Sequence, residues 1–174
     1  EACHDLDGLG TAALGLGDLA LLRHDFDECH ARYEQGLEYF RVVGNRTMES
    51  ILLSRLGQTD MLTGDMAQAA IRFTAGVTLN QQSGDRIGLA NSLFDLGRLE
   101  LNTGEPRRAA VRFAEIARLG AQIGLQEAVL VGLLFQGLAA RELDDHAGMR
   151  EYAQRAIVFW RGQGVAAFSP EFVA

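Results

Sequence analysis

The chain has 174 residues, 48% of them hydrophobic and 22% charged, with two prolines and no low-complexity run. That length allows one globular domain or a short repeat array, and that composition excludes a disordered chain. A formal charge of −7 argues against a nucleic-acid binder, whose affinity rests on basic side chains that release counterions, and no stretch approaches the ~18 uncharged apolar residues of a membrane span.

Residues 8–17 read GLGTAALGLG, in which Gly8, Gly10 and Ala13 fit the G-x-G-x-x-A spacing of a dinucleotide fingerprint. That chemistry needs a β-strand immediately before the glycines. The acidic, irregular residues 1–7 make no strand, so the segment is expected to open a helix and not a phosphate loop. A shift of 40 residues accounts for the glycines instead. Gly17, Gly57, Gly97 and Gly137 fall in one column, and Gly44, Gly84, Gly124 and Gly164 in another.

Four units follow, each read as helix, turn, helix, turn. The first, 5–44, has Leu16-Gly17, a polar turn at His24-Asp25, then Cys29 and Tyr33. The second, 45–84, has Leu56-Gly57, a turn at Gly64-Asp65, and a stripe of Met66, Ala69, Ala70, Phe73 and Val77 at the spacing of an amphipathic helix. In the third, 85–124, Leu89, Leu93, Leu96 and Leu99 recur at three and four, the turn is Gly104-Glu105, and Pro106 suits a first helical turn. The fourth, 125–164, departs from the pattern: Gln136 stands in the leucine column, Met149 in the small column of Cys29, Ala69 and Ala109, and Ala153 in the aromatic column of Tyr33, Phe73 and Phe113. Its turn is Asp144-Asp145. Residues 165–174, with Val165, Phe168, Phe172 and Val173, either cap the last hairpin or expose an apolar end through which two copies pair as a homodimer.

The two glycine columns have different physics. Gly44, Gly84, Gly124 and Gly164 stand where a chain leaves a helix through a left-handed residue. Gly17, Gly57, Gly97 and Gly137 lie inside helices at a cost of ~1 kcal/mol each relative to alanine, which implies that a neighbouring helix approaches closely there.

The Leu-Gly pair of the first helix, followed by a small residue and an aromatic in the second, as in Leu56-Gly57, Ala69, Phe73 and Leu96-Gly97, Ala109, Phe113, resembles the tetratricopeptide repeat in a long, 40-residue form. The resemblance covers about residues 5–164. The chain departs from it at Ala20, Asp60, Glu100 and Ala140, where the family has an aromatic, and in replacing the unit-ending proline by a glycine turn. The inter-unit turns Gly44-Asn45-Arg46 and Gly84-Asp85-Arg86 are similar to those of arrays in large bacterial signalling ATPases and transcriptional regulators.

The resemblance implies an all-α, right-handed superhelical solenoid of about four antiparallel helix hairpins, a single array over 1–174. It further implies a concave groove lined by the first helix of each unit. Carried over residue by residue, the groove comprises Leu14 and Asp18; Ser54, Gln58 and Met61; Asn91, Phe94, Arg98 and Leu101; and Leu134, Leu138 and Arg141. Amides, arginines and apolar surface together suit an extended peptide or a partner's helix. The sequence has no lysine, so the basic carboxylate clamp of some relatives is not expected.

Catalytic machinery is not legible: there is no nucleophile elbow, no H-E-x-x-H and no P-loop lysine. Cys3-His4 and Cys29-His30 suggest zinc, but adjacent residues on a helix point ~100° apart and cannot share a metal. The arginines at 107, 108, 112 and 118 read as a solvated helix face. No catalytic residue, metal or cofactor is therefore expected. Two cysteines make no disulfide framework; the lack of a signal-like start points to the cytoplasm, and a start at Glu1 points to a piece of a longer protein. The expected function is a non-catalytic protein-interaction scaffold of a regulatory or signalling protein, with no direct contact to nucleic acid or membrane. The alternative is a small-ligand sensor domain of a transcriptional regulator.

Overall fold

The computed structural model describes residues 2–162, so Gly164 and the apolar tail at 165–174 lie outside the described residues. Eight α-helices and no strand occur among the described residues. They group into two compact units, Glu1–Thr103 and Gly104–Ala174. The first holds α1 (Ala2–Leu22), α2 (Phe26–Val43), α3 (Arg46–Thr63), α4 (Met66–Ser83) and α5 (Arg86–Asn102). The second holds α6 (Pro106–Ile123), α7 (Gln126–Glu142) and α8 (His146–Gly162). Within each unit consecutive helices pack on one another, and in the first unit α3 also touches α5.

Local chemistry sets the helix ends. Asp25, Asn45, Asp65 and Asp85 each accept, through a side-chain oxygen, the backbone N–H three residues on, at 3.2, 3.2, 2.9 and 2.8 Å. Such caps satisfy donors that the helix itself cannot. Gly44, Gly84 and Gly124 leave α2, α4 and α6 with φ of 72°, 72° and 71°, the left-handed conformation expected of them. The turns inside the hairpins use the same conformation. Gly64 and Gly104 enter it with φ of 91° and 77°, but His24 and Asp144 enter it with φ of 57°, where a Cβ makes it costly.

The core of the first unit contains Cys29, Tyr33, Leu37, Phe40, Leu52 and Leu56, all at most 1% exposed, and a second cluster of Ala69, Phe73, Leu96 and Leu99. Interior glycines make room for it. A Cβ on Gly17 would stand 2.4 Å from the Tyr33 ring, and one on Gly57 2.5 Å from the Phe73 ring. What approaches these glycines is an aromatic ring, not the neighbouring backbone. The fourth member of the column is different: a Cβ on Gly137 would make only ordinary contacts, with Tyr152 Cβ at 3.6 Å and Met149 O at 3.8 Å, in keeping with the alanine at 153. Backbone does approach backbone in the second unit, at Gly120 and Gly132, where a Cβ would lie 2.8 Å from Leu125 O and 2.6 Å from Phe113 O.

Two polar networks are buried in the first unit. Asn80, 1% exposed, donates to Ser50 Oγ at 2.7 Å and Ser92 Oγ at 2.9 Å, tying α4 to α3 and α5. Arg72 lies 2.7 Å from Glu34 and 2.7 Å from Asp60, and its guanidinium meets His30 Nε2 at 2.9 Å. The Arg72–Asp60 contact is close but not aligned as a hydrogen bond. Burial therefore raises the Asp60 carboxyl above the usual range despite the opposing pull of Arg72 and His30.

Candidate functional site

In the first unit α3 and α5 run side by side, and their facing residues enclose a groove of 520 Å³. Helical spacing builds it. Ser54 and Gln58 lie one turn apart on α3, while Asn91, Asp95 and Arg98 lie at i, i+4 and i+7 on α5, one face of that helix. Asp95 joins the two walls: Ser54 Oγ donates to its Oδ2 at 2.5 Å and Gln58 Nε2 to its Oδ1 at 3.1 Å. Burial pushes the Asp95 carboxyl up, and the bonds from Ser54 and Gln58 with the charges of Arg98 and Arg55 offset only part of that.

The other polar side chains of the groove include Arg55, Asp85, Asn91 and Arg98. Both Asp95 oxygens are bonded, and Asp85 accepts the Gly88 N–H as a helix cap. Asn91 is exposed, and the Arg98 guanidinium sits 5.8 Å above the Phe94 ring centre, a cation–π contact that holds it at the groove mouth. Ile51 and Ile87, 40% and 56% exposed, add apolar surface. A trough that carries amide, guanidinium and aliphatic groups together matches the backbone and apolar side chains of an extended chain. Neither histidine nor cysteine lines it.

Five of the residues expected to line a groove, Ser54, Gln58, Asn91, Phe94 and Arg98, come together here. The others lie elsewhere. Leu14 packs against the first core cluster and Met61 against the second, so both serve as hairpin filling. Asp18 accepts the Tyr33 hydroxyl at 2.6 Å and lies 3.7 Å from Arg55, outside the groove, and burial with that bond holds the Tyr33 phenol protonated well above its ordinary range. Leu101 is half-buried at the end of α5. In the second unit Leu134 is exposed, Leu138 half-buried, and Arg141 exposed and paired with Glu142 at 2.8 Å. Sequence reasoning missed Asp95, Arg55, Ile51 and Ile87. Asp95 had a legible signal, since it interrupts the leucine run of α5 on the face shared by Asn91 and Arg98.

No group of three or more metal-ligating side chains occurs among the described residues, and no described helix is long and apolar enough to cross a membrane. No family model matches the chain, and neither does any curated protein. Solved structures do. The apo form of RapI superimposes with a TM-score of 0.78 at 9% identity over 91% of this chain, which spans 58% of RapI. BtubC (BKLC) from P. vanneervenii gives a TM-score of 0.77 at 14% identity, over 97% of this chain and 70% of its own. Both are helical repeat proteins, and the likeness shows the fold alone: this chain has an all-α helical repeat fold.

Proposed function

We propose that the chain is a non-catalytic interaction scaffold of the tetratricopeptide type, with repeats at 5–44, 45–84, 85–124 and 125–164, and that the α3/α5 groove takes an extended peptide or a partner's helix. One observation supports this: Ser54 and Gln58 on α3 and Asn91, Phe94 and Arg98 on α5 line one groove, in which Asp95 is held by Ser54 and Gln58 while Asn91 and Arg98 stay exposed. In this reading Leu134, Leu138 and Arg141 present the corresponding surface of α7. The chain works in the cytoplasm as part of a larger regulatory protein, without touching nucleic acid or membrane, and its ends can pair two copies.

Selection from a displayed peptide library tests this. Peptides that bind the wild-type chain should lose at least tenfold in affinity on Arg98→Glu, which reverses the charge at the groove mouth while leaving the core untouched. Equal binding by both proteins would remove the groove from the account. A groove of 520 Å³ also has the size of a small-molecule site, the feature behind the sensor alternative. A metabolite at 100 times its dissociation constant would add ~2.7 kcal/mol of stability, and absence of any thermal shift across a broad library would count against that alternative.

A further inference from the structure

A second cleft, of 690 Å³, lies wholly within the second unit, between α6 and α8 with α7 as its floor. Its origin is legible by register. Where α2 has Glu34, Leu37 and Arg41, and α4 has Thr74, Val77 and Gln81, the same positions of α6 are Ala114, Ala117 and Ala121, all lining the cleft. Three short side chains leave the opposite wall, Val158 and Phe159 of α8, without a facing neighbour of ordinary size. The close backbone approach of α7 to α6 at Gly132 brings the α7 floor up beneath them.

The floor holds an anomaly. Gln136 stands in a column whose members Leu56 and Leu96 are buried leucines, and it is itself only 7% exposed. Its Nε2 donates to Gly132 O of its own helix at 3.1 Å, and no donor among the described residues reaches its Oε1. That oxygen is not fully buried: it keeps solvent access through the cleft and is open to a donor from outside the protein, which leucine could not offer. The amide lines the cleft, so the missing donor has a place to come from.

The rim carries no unspent charge. Arg118 is engaged by Glu115, while Arg155 lies 3.8 Å from Glu151 and 5.5 Å above the Tyr152 ring. An ionic ligand would have to displace these partners, whereas a neutral one would not.

We propose that this cleft is a binding site for a neutral, largely apolar small molecule that carries one hydrogen-bond donor, its apolar body between the α6 alanines and Phe159 and its donor on Gln136 Oε1. The site is separate from the α3/α5 groove and does not depend on the scaffold reading. A volume of 690 Å³ with an alanine, valine, leucine and phenylalanine body, the Gln136 amide on its floor, and Arg118, Gln154 and Arg155 also in its lining has the size and mixed lining of such sites.

N-phenyl-1-naphthylamine is a suitable probe, being neutral, apolar and furnished with one N–H. Titrated into the full chain, it should give saturable fluorescence enhancement at one site per chain. Gln136→Leu should bind it roughly fivefold to tenfold more weakly without loss of thermal stability, the effect of removing one hydrogen bond. The N-methylated probe, which lacks the donor, should bind wild type with the same deficit and should not distinguish wild type from Gln136→Leu. Ala114→Phe, at an exposed cleft position, should abolish binding while the chain stays folded by circular dichroism. The proposal is overturned by absence of saturable binding, by equal affinity of wild type, Gln136→Leu and Ala114→Phe, or by probe binding only where sedimentation shows a dimer, which would place the signal between two copies.

Discussion

The Phe73 ring lies directly on Gly57, so close that a Cβ there would stand 2.5 Å from ring carbon Cε1. Phe73 is 1% exposed and has nowhere to retreat. Gly57→Ala should therefore cost about 1–3 kcal/mol through overpacking, even though alanine is the better helix former by ~1 kcal/mol. Gly137→Ala, in the same repeat position, should do the opposite and stabilise by up to ~1 kcal/mol, because its Cβ would find only an ordinary contact at 3.6 Å. Urea midpoints of the two variants decide the matter. If both shift the same way, the ring does not set the need for glycine.

Arg72 is 7% exposed and Asp60 4%, so removing one partner strands the other. Arg72→Ala should cost about 3–5 kcal/mol at neutral pH, against a much smaller loss for the double variant Arg72→Met with Asp60→Asn. Because the Asp60 carboxyl already titrates above its usual range, the deficit of Arg72→Ala should shrink as the pH falls and Asp60 becomes neutral. Denaturation at pH 5 and pH 7.5 measures this. A deficit that grows in acid would contradict it.

Asp95 gives a pH dependence of definite sign. Its folded-state pKa is raised, so its contribution to stability is fully present below the unfolded-state value and is lost as the pH rises through the folded value. Asp95→Asn keeps the shape and, with its amide turned to suit Ser54 and Gln58, both bonds. It should match or exceed wild type in stability at pH 7, and the difference should narrow or reverse as the pH falls toward 4. The measurement is the urea midpoint of each protein against pH, and parallel curves would mean that the carboxylate is not penalised by burial.

Asp144 is exposed and holds a left-handed conformation, φ 57°, at a position where Gly64 and Gly104 stand in other hairpins. Asp144→Gly should raise stability by about 0.5–1 kcal/mol, the relief of a Cβ strain partly offset by the greater freedom of glycine in the unfolded chain. Asp65→Ala, which deletes the cap on Gln68 N–H, should lower it by ~1 kcal/mol. Calorimetric Tm values in opposite directions are the expected pair.

Sequence alone determined the order of helices and turns, because the determinants are local. Spacing at three and four puts Met66, Ala69, Phe73 and Val77 on one face, and left-handed glycines at 44, 84 and 124 end their helices whatever surrounds them. The site was legible only in part. Ser54, Gln58, Asn91, Phe94 and Arg98 could be named from helix position, but Leu14 and Met61 look alike in sequence and turn into the core. Asp95 becomes part of a groove only through donors on another helix, and Gln136 becomes an unpaired acceptor only because of what α6 and α8 leave open above it. Which side of an amphipathic helix meets a neighbour, a ring or open space is decided by packing between segments distant in the chain, and no periodicity along one helix encodes that.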